Sequence, residues 1–437
     1  MTEEKSTFQS KMKAMGPGIL MASAAVGGSH IVSSTQAGAI YGWQLAIIVL
    51  LVNLFKYPFF RYGAQYALEN NKSLIQGYEE KGKIYLWLFF IMNIFSAFVN
   101  TAAVGILTAA ILYNIFPNGF GLSIAQLSAA IIVGIWIMIL VGGYKFMDSL
   151  SKAVMISLTL ATVLAVIIAM FKTPHIDPNF IEPSPWKLSA LTFIISLMGW
   201  MPAPIEISAI NSMWSIEKRK SEKVSVVDGI FDFNVGYIGT AILAFIFLAL
   251  GALIQYGSGE KIEAASAAYI KQFIGMYASA FGDWSRLLIA FIAFLCLFGT
   301  TITVIDGYSR VNNEALRIIL KKNNESKTQL NIWVSITSIV GILIVFLLAG
   351  NVAKLMYFAM IASFLSAPIY SYLNFSLVNG KVYNTSERLT GLLDLNFSLV
   401  NGKEGHIKGF LYYISILGLI YLTGFGVFFL AYILKLI

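Results

Sequence analysis

Gly27-Gly28-Ser29-His30 and Trp200-Met201-Pro202-Ala203-Pro204 are the two stretches whose reading decides the fold. Each interrupts an apolar run, 17–41 and 188–213, that is otherwise long enough to cross a bilayer. Glycine admits backbone angles outside the helical region, and proline removes an amide donor and clashes with the preceding turn. Both stretches therefore read as breaks in membrane-spanning helices. A break at mid-membrane depth frees backbone carbonyls and amides where lipid offers no partner, so a substrate, an ion or a trapped water must satisfy them. Broken helices at matching places in two halves of a chain point to the binding site of a transporter.

The composition supports a membrane protein. Of the 437 residues, 58% are hydrophobic and 12% charged, against about 25% charged in soluble domains. This predicts an all-α, polytopic helix bundle. The single cysteine, Cys296, lies in an apolar run, so no disulfide forms within the chain and no redox compartment can be inferred. Only His30, His175 and His406 carry imidazoles. No Cys/His cluster, Ser/His/Asp set or phosphate loop is present, which argues against an enzyme and gives no reason to expect a cofactor. The net charge of +8 is read as a mark of cytoplasmic loops in contact with anionic lipid, not of nucleic-acid binding. No obligate protein partner is inferred. The polar start, Met1 to Lys13, reads as a tail with no cleaved signal peptide.

Eleven apolar runs are long enough to span the membrane, near 17–41, 43–66, 84–115, 122–141, 149–171, 188–213, 231–254, 286–307, 331–349, 352–372 and 409–434. They are called segments 1 to 11 below. With the N-terminus in the cytoplasm, and Lys56 set aside, the inner loops and adjoining segment ends hold 22 Lys and Arg and the outer ones 7, a bias that places the C-terminus outside a plasma membrane. The organisation expected is a cytoplasmic tail (1–16), a transmembrane core (17–372), a cytoplasmic loop (373–408) and one extra helix (409–434). Within the core, segments 1–5 (17–171) and 6–10 (188–372) have similar spacing. An odd number of spans per unit makes such halves inverted, giving a 5+5 inverted repeat with segments 1 and 6 broken. A separate exact repeat, Leu-Asn-Phe-Ser-Leu-Val-Asn-Gly-Lys, at Leu373–Lys381 and Leu395–Lys403, reads as a duplicated loop element.

Gly16-Pro17-Gly18 opens segment 1 and Gln36-Ala37-Gly38-Ala39-Ile40-Tyr41-Gly42 closes it; with Met201-Pro202 in segment 6, these motifs resemble the Nramp family of metal-ion transporters, within the amino acid–polyamine–cation superfamily. Lys56-Tyr57-Pro58-Phe59-Phe60-Arg61-Tyr62-Gly63 is similar to a divergent bacterial branch. The resemblance covers most of the chain and implies a bundle that imports a divalent metal cation by alternating access. It also exposes departures. Where the family carries Asp-Pro-Gly-Asn, with Asp and Asn as metal ligands, this chain has Gly27, Gly28, Ser29 and His30. The family's soft methionine matches Met201, and the histidine after Met-Pro matches Ala203. The acidic residues that serve proton movement in segment 3 are missing from Asn100-Thr101-Ala102-Ala103.

The candidate substrate-binding residues are thus Gly27, Gly28, Ser29, His30, Met201, Pro202, Ala203 and Glu206. His30 and Met201 are the candidate metal ligands, completed by backbone carbonyls and Ser29. The bland alternatives are a histidine bonded to a neighbouring helix and a methionine filling the core. Glu206 either caps the positive end of the outgoing half-helix or restores the negative charge lost at Gly27. Asn100, Thr101 and Thr303 are pathway candidates, and Asp306 with Arg310, spaced i and i+4, reads as an inner gate or anchor. Lys56 is expected to snorkel to the cytoplasmic face, and Asp228 and Asp232 to be solvated. Without the family's carboxylate, an amino acid or another small solute is an alternative cargo. A non-transporting membrane sensor is the other class considered.

Overall fold

A computed structural model describes residues 7–142, 144–172, 176–264, 266–322, 324, 326–348, 351–379, 390–392, 395–398 and 409–436. The first six residues of the expected tail's polar start, and most of the expected 373–408 loop, lie outside them. Segment 1 is split into α2 (Pro17–Ala25), a π-helical turn (Ser29–Ser34) and α3 (Thr35–Tyr41), preceded by the short α1 (Phe8–Ala14). Next come α4 (Ala46–Asn70), α5 (Leu74–Lys81), α6 (Lys83–Ile115), α7 (Ile124–Val141) and α8 (Tyr144–Met170). Segment 6 is split into α9 (Leu191–Trp200) and α10 (Ile207–Ser221), followed by α11 (Val226–Ile254), α12 (Ala267–Phe281), α13 (Ser285–Ile319), α14 (Lys327–Leu347), α15 (Val352–Val378) and α16 (Phe410–Ile433). Among the described residues, nine helices are long and apolar enough to cross a membrane, by length and composition alone. Segments 1 and 6 are the two further apolar runs, each interrupted.

Local chemistry places the ends of these elements. Ser73 and Ser123 each form a capping box with the glutamine three residues on. Gly142, with φ +84°, closes α7 in a left-handed turn open to glycine. The outer faces are apolar at helical spacing. Along α6, Ile84, Leu88, Ile91 and Phe95 are all exposed, the stripe expected where a helix faces lipid.

Close backbone contacts hold segment 1 on α11. A Cβ at Gly18 would lie 2.1 Å from the Asp232 carbonyl oxygen, and one at Gly38 would lie 1.9 Å from that of Leu248. Reciprocally, Gly236 packs on Gly18 and Gly251 on Thr35. Small residues let two helices approach backbone to backbone where no hydrophobic effect drives them together. So α11 runs as a rail beneath both halves of the broken segment.

Several expectations need correction. Segments 8 and 10 run further than their apolar stretches, to Ile319 and Val378, because buried polar pairs extend them. Asn93 meets Asn312 (2.7 Å), and Asn374 donates to the Phe59 carbonyl (2.8 Å) and to Ser208 (2.8 Å). The first copy of the nine-residue repeat is therefore largely the end of α15, not loop. In the second copy, Leu395–Ser398 pairs with Thr390–Leu392 as two short antiparallel strands, so tertiary context overrides local preference. The connection between segments 7 and 8 contains α12, whose buried face (Tyr269, Ile270, Phe273, Ile274, Tyr277) has a helical period. Tyr269 bonds Thr35, and Tyr277 bonds Thr162 at 2.6 Å.

Candidate transport site

The first break is narrower than the four residues expected. α2 ends at Ala25, and the Gly27 carbonyl already accepts the amides of His30 (3.2 Å) and Ile31 (2.9 Å). Ser29 and His30 thus belong to the π-helical turn, a form that recurs at functional sites. Glycine is required at position 28 because a Cβ there would meet the Trp200 ring at 2.6 Å. The second break is wider: Met201 to Glu206 separate α9 from α10, and the Met201–Pro202 peptide is cis. The breaks face each other, with the Ser29 hydroxyl 3.3 Å from the Pro202 carbonyl oxygen.

At their junction lies a cavity of about 30 Å³, walled by Ser29, Asn100, Trp200, Ala203, Thr300, Tyr308 and small apolar residues. That is room for a water or two, or one dehydrated ion. A hydrogen-bond chain runs along one wall. The Trp200 indole donates to Asn100 Oδ1 (3.1 Å), Asn100 Nδ2 donates to the Tyr308 hydroxyl (3.0 Å), and Tyr308 donates to Glu206 Oε1 (3.1 Å). An indole only donates, which sets the Asn100 amide and leaves the Tyr308 proton for Glu206. Glu206 Oε2 is buried without a hydrogen-bond partner.

The structure brings together Gly27, Gly28, Ser29, Asn100, Pro202 and Ala203, with Glu206 behind Tyr308. It does not assemble His30 with Met201. The His30 Nε2 donates to the Thr240 carbonyl of α11 (2.9 Å), and Nδ1 meets Ser29 Oγ (2.7 Å) and the Ala25 carbonyl (3.2 Å). Both ring nitrogens are engaged, and the ring serves as a tie between segment 1 and its rail. Met201 is buried in the apolar core. Neither residue lines the cavity in this conformation. Among the described residues, no group of three or more His, Cys, Asp or Glu could hold a metal ion.

Among the pathway candidates, Thr101 is buried away from the cavity and Thr303 bonds its own helix at Gly299 (3.0 Å), while Thr300 takes the lining position. Asp306 and Arg310 pair at 2.7 Å on one face of α13. Two charged residues sit elsewhere than expected. Asp232 is not solvated: its carboxylate accepts the amides of Gly16 (3.0 Å) and Gly18 (2.6 Å), capping the start of α2, where the helix dipole favours an anion. Asp228 is also buried.

Lys56 does not snorkel. It is fully buried, and its ammonium donates to the carbonyls of Met198 (2.6 Å), Gly199 (2.9 Å) and Ala203 (3.3 Å). A charge within an apolar run is a functional signal, and here its partners lie in segment 6, beyond the reach of any local pattern along segment 2.

Comparison with known proteins agrees with this architecture. A family model described as natural resistance-associated macrophage protein-like (Nramp) matches residues 18–390. An uncharacterized protein of Pasteurella multocida (strain Pm70) is 54% identical over 431 residues, covering 98% of this chain and 94% of that protein. Among solved structures, a variant of the Eremococcus coleocola manganese transporter superposes with a TM-score of 0.71 at 14% identity, covering 98% of this chain and 87% of that one. MhsT in complex with L-phenylalanine superposes with a TM-score of 0.55 at 13% identity, covering 94% and 97%. The helices, their two breaks and the family match over most of the chain converge: this protein belongs to the Nramp family of membrane transporters.

Proposed function

We propose that this protein is a secondary transporter that moves a small substrate across the plasma membrane by alternating access around the two breaks, and that its cargo is a divalent metal cation taken into the cell. The observation that carries this reading is the small cavity where the breaks of segments 1 and 6 meet, bridged by Ser29 and Pro202. Membership of the family supports it, as does the likeness to a chain named as a manganese transporter. A cation in this cavity would lean on neutral oxygens of Ser29, Thr300, Tyr308 and the backbone, with Glu206 as the carboxylate joined to the wall through Tyr308. The proposal retains the 5+5 inverted repeat, the cytoplasmic N-terminus and the external C-terminus.

One observation favours a second cargo. No carboxylate, imidazole or sulfur lines the cavity, whereas hard dications prefer anionic oxygen. A small uncharged or zwitterionic solute, such as an amino acid, fits a neutral wall of hydroxyls and amides better.

Influx of Mn²⁺ into proteoliposomes separates the two. Under the metal reading, influx is saturable and falls at least about tenfold in Asn100→Leu, which removes the amide joining Trp200 to Tyr308. Folded protein that moves no Mn²⁺ but takes up an amino acid establishes the second cargo. Movement of neither, across a solute screen, would overturn the transport reading.

A further inference from the structure

Lys56 stands in the eleventh position of α4, two residues before Pro58, and is fully buried. Its three acceptors belong to one structural feature. Met198 and Gly199 are in the last turn of α9, whose final carbonyls have no amide partner within the helix, and Ala203 lies in the unwound stretch that follows. Three carbonyl acceptors require three donor hydrogens, which only a protonated ammonium supplies. The site is thus a cage of three carbonyl oxygens around a monovalent cation, placed at the negative end of a half-helix dipole. Across the same break Glu206 stands at the start of α10, where that dipole is positive.

Unwound carbonyls and half-helix C-terminal ends are the groups that hold coupling ions in broken-helix carriers. Here the cage is filled by the chain itself. We propose that Lys56 is a tethered monovalent cation: its ammonium occupies a carbonyl site at the segment 6 break, so the carrier works without a free coupling ion there. The proposal draws its consequence for transport from the reading of the breaks as the carrier centre. The cage itself is tested by binding, which does not require any cargo to be known.

Lys56→Ala removes three methylenes and the ammonium, leaving a gap shaped for n-propylammonium. In purified full-length protein this variant is expected to melt about 5 °C below the native chain. n-Propylammonium chloride should restore the loss saturably, whereas 1-propanol, of similar size but uncharged, should not. The native protein should not respond to either. Lys56→Met keeps the volume without the charge; it should also melt lower and gain nothing from the amine, because the gap is filled. If Lys56→Ala cannot be purified alone, its recovery when n-propylammonium is present during extraction carries the same weight. Equal effects of amine and alcohol on Lys56→Ala, or a Lys56→Met protein as stable as the native one, would overturn the proposal.

Discussion

Gly251→Ala is expected to destabilise the protein by about 3 kcal/mol, an overpacking cost at the upper end of the usual range, while Gly239→Ala on the same helix changes stability by less than about 0.5 kcal/mol. The difference comes from what each new methyl group meets. At Gly251 it would lie 2.1 Å from the Thr35 carbonyl oxygen and 2.7 Å from the Ala39 amide nitrogen; at Gly239 it meets nothing within 4 Å. Backbone cannot rotate aside as a side chain can, so α3, the second half of segment 1, must move off α11. Unfolding in mixed detergent micelles measures both variants. Equal stability of the two would show that α11 is not the close-packed rail described above.

The second large effect concerns charge. Glu206→Leu removes the buried carboxylate across the segment 6 break from Lys56 and leaves the ammonium to its three carbonyls alone, at an expected cost of about 3 kcal/mol. The Tyr308 hydroxyl also loses its acceptor. Adding Lys56→Met should return part of that loss, because removing both charges eliminates the desolvation penalty of each. The Met198, Gly199 and Ala203 carbonyls, left without their donor, limit the recovery. A double-mutant cycle is expected to show a coupling of about 2 kcal/mol between the two sites. Additive losses would mean that the two charges are independent, and that Glu206 acts only as a helix cap.

Much of the fold was legible because its signals are local. Apolar runs, loop charges and the Gly-Gly and Pro-Ala-Pro interruptions each declare themselves within a few residues. The opposed breaks follow from them, and so do Ser29, Asn100 and Ala203 on the cavity wall. What escaped the reading depends on how distant helices pack. His30 finds its partner in Thr240, and Lys56 finds its partners in Met198, Gly199 and Ala203, across helices whose register no local period encodes. Asp232 sits in sequence where a solvated end-of-segment charge is expected, and only the packing of α2 on α11 turns it into the cap of α2. The amphipathic α12 carries a helical pattern, but at 15 residues it is too short to span a membrane and gives no signal to a search for spanning runs. Tyr308 was visible as sequence, yet its place between Asn100 and Glu206 emerges only when segments 3, 6 and 8 converge.

The central claim is that the junction of the two breaks opens in turn to each side of the membrane. The single native cysteine, Cys296, is buried with its thiol on the Val26 carbonyl, so an introduced cysteine can be followed by itself. Ala203, on the cavity wall and buried, is the place to put it. Ala203→Cys protein in oriented vesicles would be exposed to a membrane-impermeant thiol reagent from one side at a time. The account predicts labelling from either side, slowed by saturating cargo. Labelling from one side only, in a variant that still transports, would contradict it.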